Sequence, residues 1–166
     1  MRISSHLTNQ SGDRLETEYI DVESFDEYNP YSMHAAQCYC FYDGKLVVVY
    51  AESKGYWGPP GGGIEEGESV EEATIREVRE ETNMRVLAQK PIGLFKIYEK
   101  DGNITHQART VCIVEPIGPF VPHPDEEVTE IRCIDPSEVT DYFDWGETGA
   151  HQLTRALEIF EDIKKT

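Results

Sequence analysis

Basic charge is scarce in this chain of 166 residues: Lys and Arg total 15 against 32 Asp and Glu, a formal net charge of −17. So acidic a surface repels phosphate backbones and anionic headgroups, which argues against non-specific binding to nucleic acid or membrane. It leaves a nucleotide substrate open, because a divalent cation can neutralise phosphate locally. Long apolar runs are also missing. The longest, Leu46 to Ala51, falls far short of the roughly 20 residues that span a bilayer, and no signal peptide precedes it, so a cytoplasmic protein is expected. Cysteine is sparse: Cys38, Cys40, Cys112 and Cys133 sit in apolar segments without C-x-x-C spacing. They read as buried free thiols of a reducing compartment, neither zinc ligands nor a disulfide framework. There is no internal repeat and no low-complexity tract, and the length suits one domain with a self-sufficient core.

What the chain does have is concentrated between Gly62 and Met84, GGIEEGESVEEATIREVREETNM. An α-helix turns about 100° per residue, so Glu77, Glu80 and Glu81 crowd three carboxylates onto one strip. Such crowding costs a bare helix a few tenths of a kcal/mol per like pair, about 0.2–0.5. A solvated helix would gain from Glu-to-Lys pairs instead. A hard divalent cation reverses the penalty, because Mg²⁺ and Mn²⁺ prefer oxygen ligands. The run Pro59-Pro60-Gly61-Gly62-Gly63 leads into this segment, and Ser69 with Glu72 three residues on forms a capping box that marks the helix start.

Strand signals flank the helix. Thr17 to Val22 is a weak candidate after a polar arm, and Ala35 to Tyr42 and Lys45 to Ala51 form a hairpin through Asp43-Gly44. Gly93 to Tyr98 and Thr105 to Glu115 make a second pair turning at Asp101-Gly102, followed by a short strand at Glu130 to Ile134 and a brief helix from Pro136. Leu153, Ala156, Leu157, Phe160 and Ile163 recur at helical spacing, so His151 to Ile163 closes the domain as an amphipathic helix. In the central helix, Ile75 and Val78 are expected to pack on the sheet. The order is that of an α/β protein.

From Gly62 the pattern runs Gly, five residues, Glu68, seven residues, Arg76-Glu77-Val78, one residue, Glu80-Glu81, one residue, Asn83-Met84. It resembles the Nudix box, G-x5-E-x7-R-E-U-x-E-E-x-G-U with U aliphatic. The one departure is Asn83 in place of glycine. That position is expected to need a left-handed C-cap, where Asn is the commonest substitute. The resemblance implies a Nudix-type α/β/α sandwich around a mixed β-sheet, with residues 1–30 an N-terminal arm holding one candidate strand and 31–166 a single Nudix domain. It implies hydrolysis of the diphosphate linkage in a nucleoside diphosphate linked to another group X, with Mg²⁺ (or Mn²⁺) as cofactor. By resemblance Glu77, Glu80 and Glu81, with the Gly61 carbonyl, hold the metal; Arg76 orients a box glutamate, and Glu68 ties the loop to the helix start.

In many relatives the general base comes from a loop beyond the box, which makes Glu127 and Glu130 the candidates here, with a box glutamate the alternative. Lys54, Tyr56, Trp57 and Arg109 are the candidate substrate-binding residues, the first and last for phosphate and the aromatics for a base. Trp57 could equally cover the sheet, and His123 beside prolines reads as a surface residue. The window Glu99-Lys100-Asp101-Gly102 lacks the proline and tyrosine markers of ADP-ribose and diadenosine polyphosphate hydrolases. The tract from Trp57 to Glu68 resembles the MutT-like branch, which favours nucleoside triphosphates. The alternatives carried forward are an ADP-ribose or nucleotide-sugar pyrophosphatase and a non-catalytic nucleotide-sensing module. A homodimer is a further possibility implied by the family; nucleic acid and membrane partners are not expected.

Overall fold

Short apolar runs punctuated by glycine turns dictate a sheet over most of the chain. A computed structural model describes residues 1–28 and 32–165. Its strands are β1 (Arg2–Thr8), β2 (Arg14–Asp21), β3 (Met33–Tyr42), β4 (Lys45–Ala51), β5 (Tyr56–Gly58), β6 (Gly61–Gly63), β7 (Met84–Tyr98), β8 (Ile104–Pro116) and β9 (Val128–Ile134). Two α-helices, α1 (Val70–Thr82) and α2 (Gly146–Lys164), and a 3-10 turn at Pro136–Asp141 complete the described elements. The strand order is β1-β2-β7-β8-β3-β4-β5, with β6 paired to β3 and β9 to β4. The β3–β8 pairing is parallel and the other pairings are antiparallel, so the sheet is mixed, as expected.

Side chains alternate across a strand, and here both faces are covered. On one face Tyr39, Phe41, Leu46, Val48 and Val111 pack against Ala156, Phe160 and Ile163 of α2, with the Phe41 and Phe160 rings stacked at 4.4 Å. On the other, Cys38, Cys40, Val47, Cys112 and Val114 pack against Val78 of α1. Burying an aliphatic or aromatic side chain of this kind stabilises by about 1.5–3 kcal/mol. These two layers clamp the sheet between the helices and make the sandwich.

Four expectations change. Residues 2–21 supply two strands rather than one, because Gly12 takes a positive φ (+83°) and turns β1 back onto β2. Both strands join the same sheet as the rest, and the boundary placed between residues 30 and 31 lies outside the described residues. Ile75 is 48% exposed; Val70, Thr74, Val78 and Thr82, at i,i+4 spacing, form the buried stripe of α1 instead. The cysteines are not all free: parallel pairing of β3 with β8 brings Cys38 and Cys112 to a Cα–Cα distance of 6.5 Å, and they form a disulfide. Of the other two, Cys40 is a buried free thiol and Cys133 is exposed. That pairing comes from register between strands far apart in sequence, which spacing alone does not reveal.

Candidate functional site: an acidic helix face and a buried arginine

The first turn of α1 is fixed by its capping box. The Glu72 amide donates to Ser69 Oγ at 3.1 Å, and the Ser69 amide donates to Glu72 Oε1 at 3.2 Å. At the other end Asn83 adopts the left-handed conformation (φ 55°, ψ 37°), and its amide donates to the Arg79 carbonyl. The Asn83 side-chain amide also donates to the Pro119 carbonyl at 3.0 Å, which ties the helix end to the loop after β8. Asparagine thus does here what glycine does in the box pattern, and adds an anchor.

Between these caps Arg76 organises the acids. Its Nε and Nη2 donate to the Glu68 carboxylate at 2.7 and 2.8 Å in a two-pronged pair. Its Nη1 donates to Glu77 at 2.8 Å and to Glu80 at 3.3 Å, and Nη2 also reaches the Gly63 carbonyl at 2.9 Å. The paired guanidinium holds the Glu68 carboxyl down to about 2, whereas burial pushes Glu77 above the usual carboxylate range. Arg76 and Glu68 therefore tie loop to helix.

Glu81 has no such partner. It accepts one hydrogen bond from the Gly61 amide at 2.6 Å, and burial, reinforced by the charges of Glu77, Glu126 and Glu127, pushes its carboxyl up to about 8. Two glycines of the run sit where a side chain would collide, Gly61 with backbone and Gly62 with the Glu77 carboxylate. A Cβ on Gly62 would lie 2.7 Å from Glu77 Oε1, and one on Gly61 would lie 2.2 Å from the Ala36 carbonyl oxygen. β6 is hydrogen-bonded to β3 through Ala35, Ala36 and Gln37, so the glycine backbone lies flush between sheet and carboxylates.

This is an oxygen-rich, negative cluster that Arg76 compensates from within and Lys54 from its edge, the donor set that suits a hard divalent metal. Among the described residues, Glu77, Glu80 and Glu81 do not meet within 4.8 Å of one another, the distance at which Cys38, Cys40 and Cys112 do cluster. Arg76 holds two of the carboxylates while the third turns to Gly61.

The NUDIX domain family matches residues 32–157, which span strands β3 to β9, α1 and most of α2 but not β1 and β2. The chain belongs to the NUDIX family. Over 73 residues it is 36% identical to the uncharacterized Nudix hydrolase YvcI of Bacillus subtilis, covering 44% of this chain and 46% of that protein. Over 105 residues it is 29% identical to the ADP-ribose pyrophosphatase of Methanocaldococcus jannaschii, covering 61% and 56%. The chain thus spans about half the length of the curated relatives it matches. In fold it is similar to the Bacillus subtilis pyrophosphohydrolase BsRppH, solved in mutant form, with a TM-score of 0.69 at 18% identity over 93% of this chain and 96% of that one. NUDIX hydrolases generally use divalent metals, which agrees with the acidic helix face.

The remaining candidates separate. Glu127 lies at the edge of the acidic cluster, with Lys54 Nζ at 3.3 Å, and both Glu126 and Glu127 bear on Glu81. Glu130 is not brought there. It pairs with Arg132, whose guanidinium stands 5.1 Å over the Trp57 ring. Trp57 packs against Tyr50 and Tyr142 and covers the core, while Tyr56 is 55% exposed. His123 is spent on its own loop, accepting the Asp125 amide.

Arg109 is 3% exposed and opens onto a cavity of about 510 Å³ on the α2 face of the sheet. Gln37, Gln107, Trp145 and Gln152, which share that cavity, carried no signal in the sequence, since no local pattern marks amides that only tertiary folding brings together. Glu126 was visible only as one acid in an acidic loop.

Proposed function

We propose that the protein is a metal-dependent pyrophosphohydrolase that cleaves the diphosphate linkage of a nucleoside diphosphate derivative, with a nucleoside triphosphate the favoured substrate. The observation that carries this reading is the Arg76-ordered carboxylate cluster, in which Glu81 is half-buried and forms no ion pair among the described residues. Glu77, Glu80 and Glu81, with the Gly61 carbonyl, would hold Mg²⁺ or Mn²⁺. Such an ion supplies a lowered water pKa and neutralises charge on the phosphoryl oxygens.

The protein's own residues do the positioning. Arg76 keeps Glu77 and Glu80 oriented, and Glu68 holds Arg76 against the glycine loop. Gly61 and Gly62 let the substrate's phosphates approach backbone rather than side chain. For the general base, Glu127 at the cluster edge is the stronger candidate, since Glu130 is held by Arg132 on the opposite side of the sheet. Lys54, already at Glu127, is available to meet phosphate there. An ADP-ribose substrate is the second reading, favoured by the likeness to the Methanocaldococcus jannaschii ADP-ribose pyrophosphatase.

The test is phosphate and pyrophosphate release from nucleoside triphosphates, ADP-ribose and nucleotide sugars with Mg²⁺ or Mn²⁺, wild type beside Glu80→Gln. Metal-dependent turnover abolished in the variant is expected. Equal turnover by wild type and Glu80→Gln would overturn the assignment, and a folded, metal-binding protein silent on all substrates would favour a sensing module.

A further inference from the structure

We infer that Cys38, Cys40 and Cys112 form a three-sulfur site for one soft cation of the monovalent copper class, filled in the reduced chain and closed by the disulfide in the oxidised one. It stands apart from the proposed reaction and uses none of its residues. Parallel register sets Cys40 of β3 directly opposite Cys112 of β8, and Cys38 lies two residues earlier on the same face. The three Sγ atoms fall within 4.8 Å of one another, and each of these residues is at most 1% exposed. Around an ion with metal–sulfur bonds of about 2.3 Å, sulfurs stand about 4 Å apart, so the cluster needs only the disulfide opened to match. The Cα atoms of Cys38 and Cys112 are 6.5 Å apart. That is near the top of the range of about 4.4–6.8 Å that a disulfide spans, so the freed thiols have room to part without moving the strands.

The donor set decides which ion. The disulfide accounts for two of the sulfurs and leaves Cys40 unused. A thiol buried in apolar surroundings is inert as a nucleophile, which argues against exchange chemistry at Cys40. Thiolate sulfur selects soft cations, and among the described residues no His, Asp or Glu lies close enough to join the three sulfurs. Zinc almost always completes a four-coordinate shell with a further protein ligand or a water. Here Val47, Val78 and Val114 border the sulfurs, and the one further soft atom in the cluster is the Met84 thioether. A dry pocket of sulfur alone suits monovalent copper better than zinc.

Two sites of opposite hardness thus share α1. Its carboxylates offer oxygen, which suits Mg²⁺ or Mn²⁺, while the sulfurs lie beneath it against Val78. Donor chemistry keeps the two kinds of ion apart. The sulfur site is closed, as structural metal sites are, so the ion is taken up while β8 docks beside β3 and not through the finished surface. Opening the disulfide takes two electrons and two protons, which a dithiol supplies as it becomes a disulfide itself, leaving Cys38 and Cys112 as thiols. Each thiol that then binds the ion releases its proton.

In the experiment the whole chain is reduced with a dithiol, freed of it under denaturant, and refolded anaerobically with equimolar Cu(I). Copper retained through gel filtration is measured, and X-ray absorption at the copper edge identifies its neighbours. About one copper per chain is expected, with three sulfur neighbours at about 2.3 Å. In competition with a chromophoric chelator, Cys40→Ser should weaken Cu(I) binding by about 10²-fold, while Cys133→Ser should leave it unchanged. A chain refolded with the disulfide intact should retain none. No copper on the reduced wild type, a shell of oxygen or nitrogen, or only two sulfurs would overturn the inference. So would undiminished affinity in Cys40→Ser, loss of copper in Cys133→Ser, or equal retention by the disulfide form. The absorption spectrum of the wild type decides the matter even if Cys40→Ser misfolds. Glu80→Gln should keep its copper, and its loss there would move the ion to the carboxylates and also refute the sulfur site. Turnover is not read at any step, so failure of the enzymatic reading leaves this test intact.

Discussion

The two faces of the sheet carry opposite imbalances. Against α1, Glu68, Glu77 and Glu80 share one arginine, and Glu81 forms no ion pair among the described residues, with only Lys54 acting on it from the cluster edge. Against α2, one arginine is buried with no acid. Neither arrangement maximises stability, since an unpaired buried charge usually costs several kcal/mol, about 3–5 when a partner is missing. A divalent cation would relieve the first, and the Phe95 and Trp145 rings beside the guanidinium relieve part of the second. The acidic face is built from sequence neighbours on one helix; the arginine site is built from strands and a helix that meet only in the folded chain.

The comparison breaks most sharply at the acidic face. Glu80→Gln is expected to lower metal-dependent turnover by about 10²-fold or more. Because Glu80 is 41% exposed and meets Arg76 only at 3.3 Å, the melting temperature should move little, and a large fall in calorimetry would mean the residue is structural.

Gly62→Ala comes next. Its Cβ would land 2.7 Å from Glu77 Oε1 and push that carboxylate out of place, so turnover should drop about tenfold while stability falls by less than about 1 kcal/mol. Gly58→Ala, with nothing within 4 Å of the added atom, is the control, and equal effects of the two would remove the steric argument.

Glu68→Gln should cost about 2 kcal/mol in a urea melt by weakening a charged two-pronged pair. The sign in pH is fixed: a carboxyl held near 2 against an ordinary 4.5 stabilises fully above about 4.5 and loses that contribution as pH falls toward 2. The acid limb of the wild-type stability curve should therefore flatten in the variant.

The last effect is read in pH and concerns Glu81. With its folded value near 8 against 4.5, the folded state keeps a proton that the unfolded state gives up. Cation-free stability should fall as pH rises from about 4.5 and level off above about 8. Millimolar Mg²⁺ should raise the melting temperature more at pH 8 than at pH 5. An equal rise at both would separate Glu81 from the metal.

Much of the acidic face could be read in advance because its logic is local. Ser69 and Glu72, the i,i+4 carboxylates and the left-handed Asn83 all lie within one helix, where spacing determines geometry. β1 escaped notice because Arg2–Thr8 is mostly polar: at the edge of the sheet only Ile3 is buried. The first half of β7 escaped because Pro91 and a register shift interrupt it. Arg109 could be picked out as a basic residue, but its lack of a carboxylate partner among the described residues depends on Phe95 of β7, Tyr19 of β2 and Trp145 just before α2. The Cys38–Cys112 link was hidden for the same reason.

The parallel β3–β8 pair has a consequence for when this site comes into being. Cys38 and Cys112 stand 74 residues apart, and the whole glutamate helix lies in the loop between them. Non-local parallel pairing is among the slower events in folding. On the ribosome, the acidic segment should therefore emerge and turn helical well before the strand that completes the sheet beside it. A nascent chain halted short of Ile104 is expected to carry the whole Nudix box and yet lack the platform on which a nucleotide could lie.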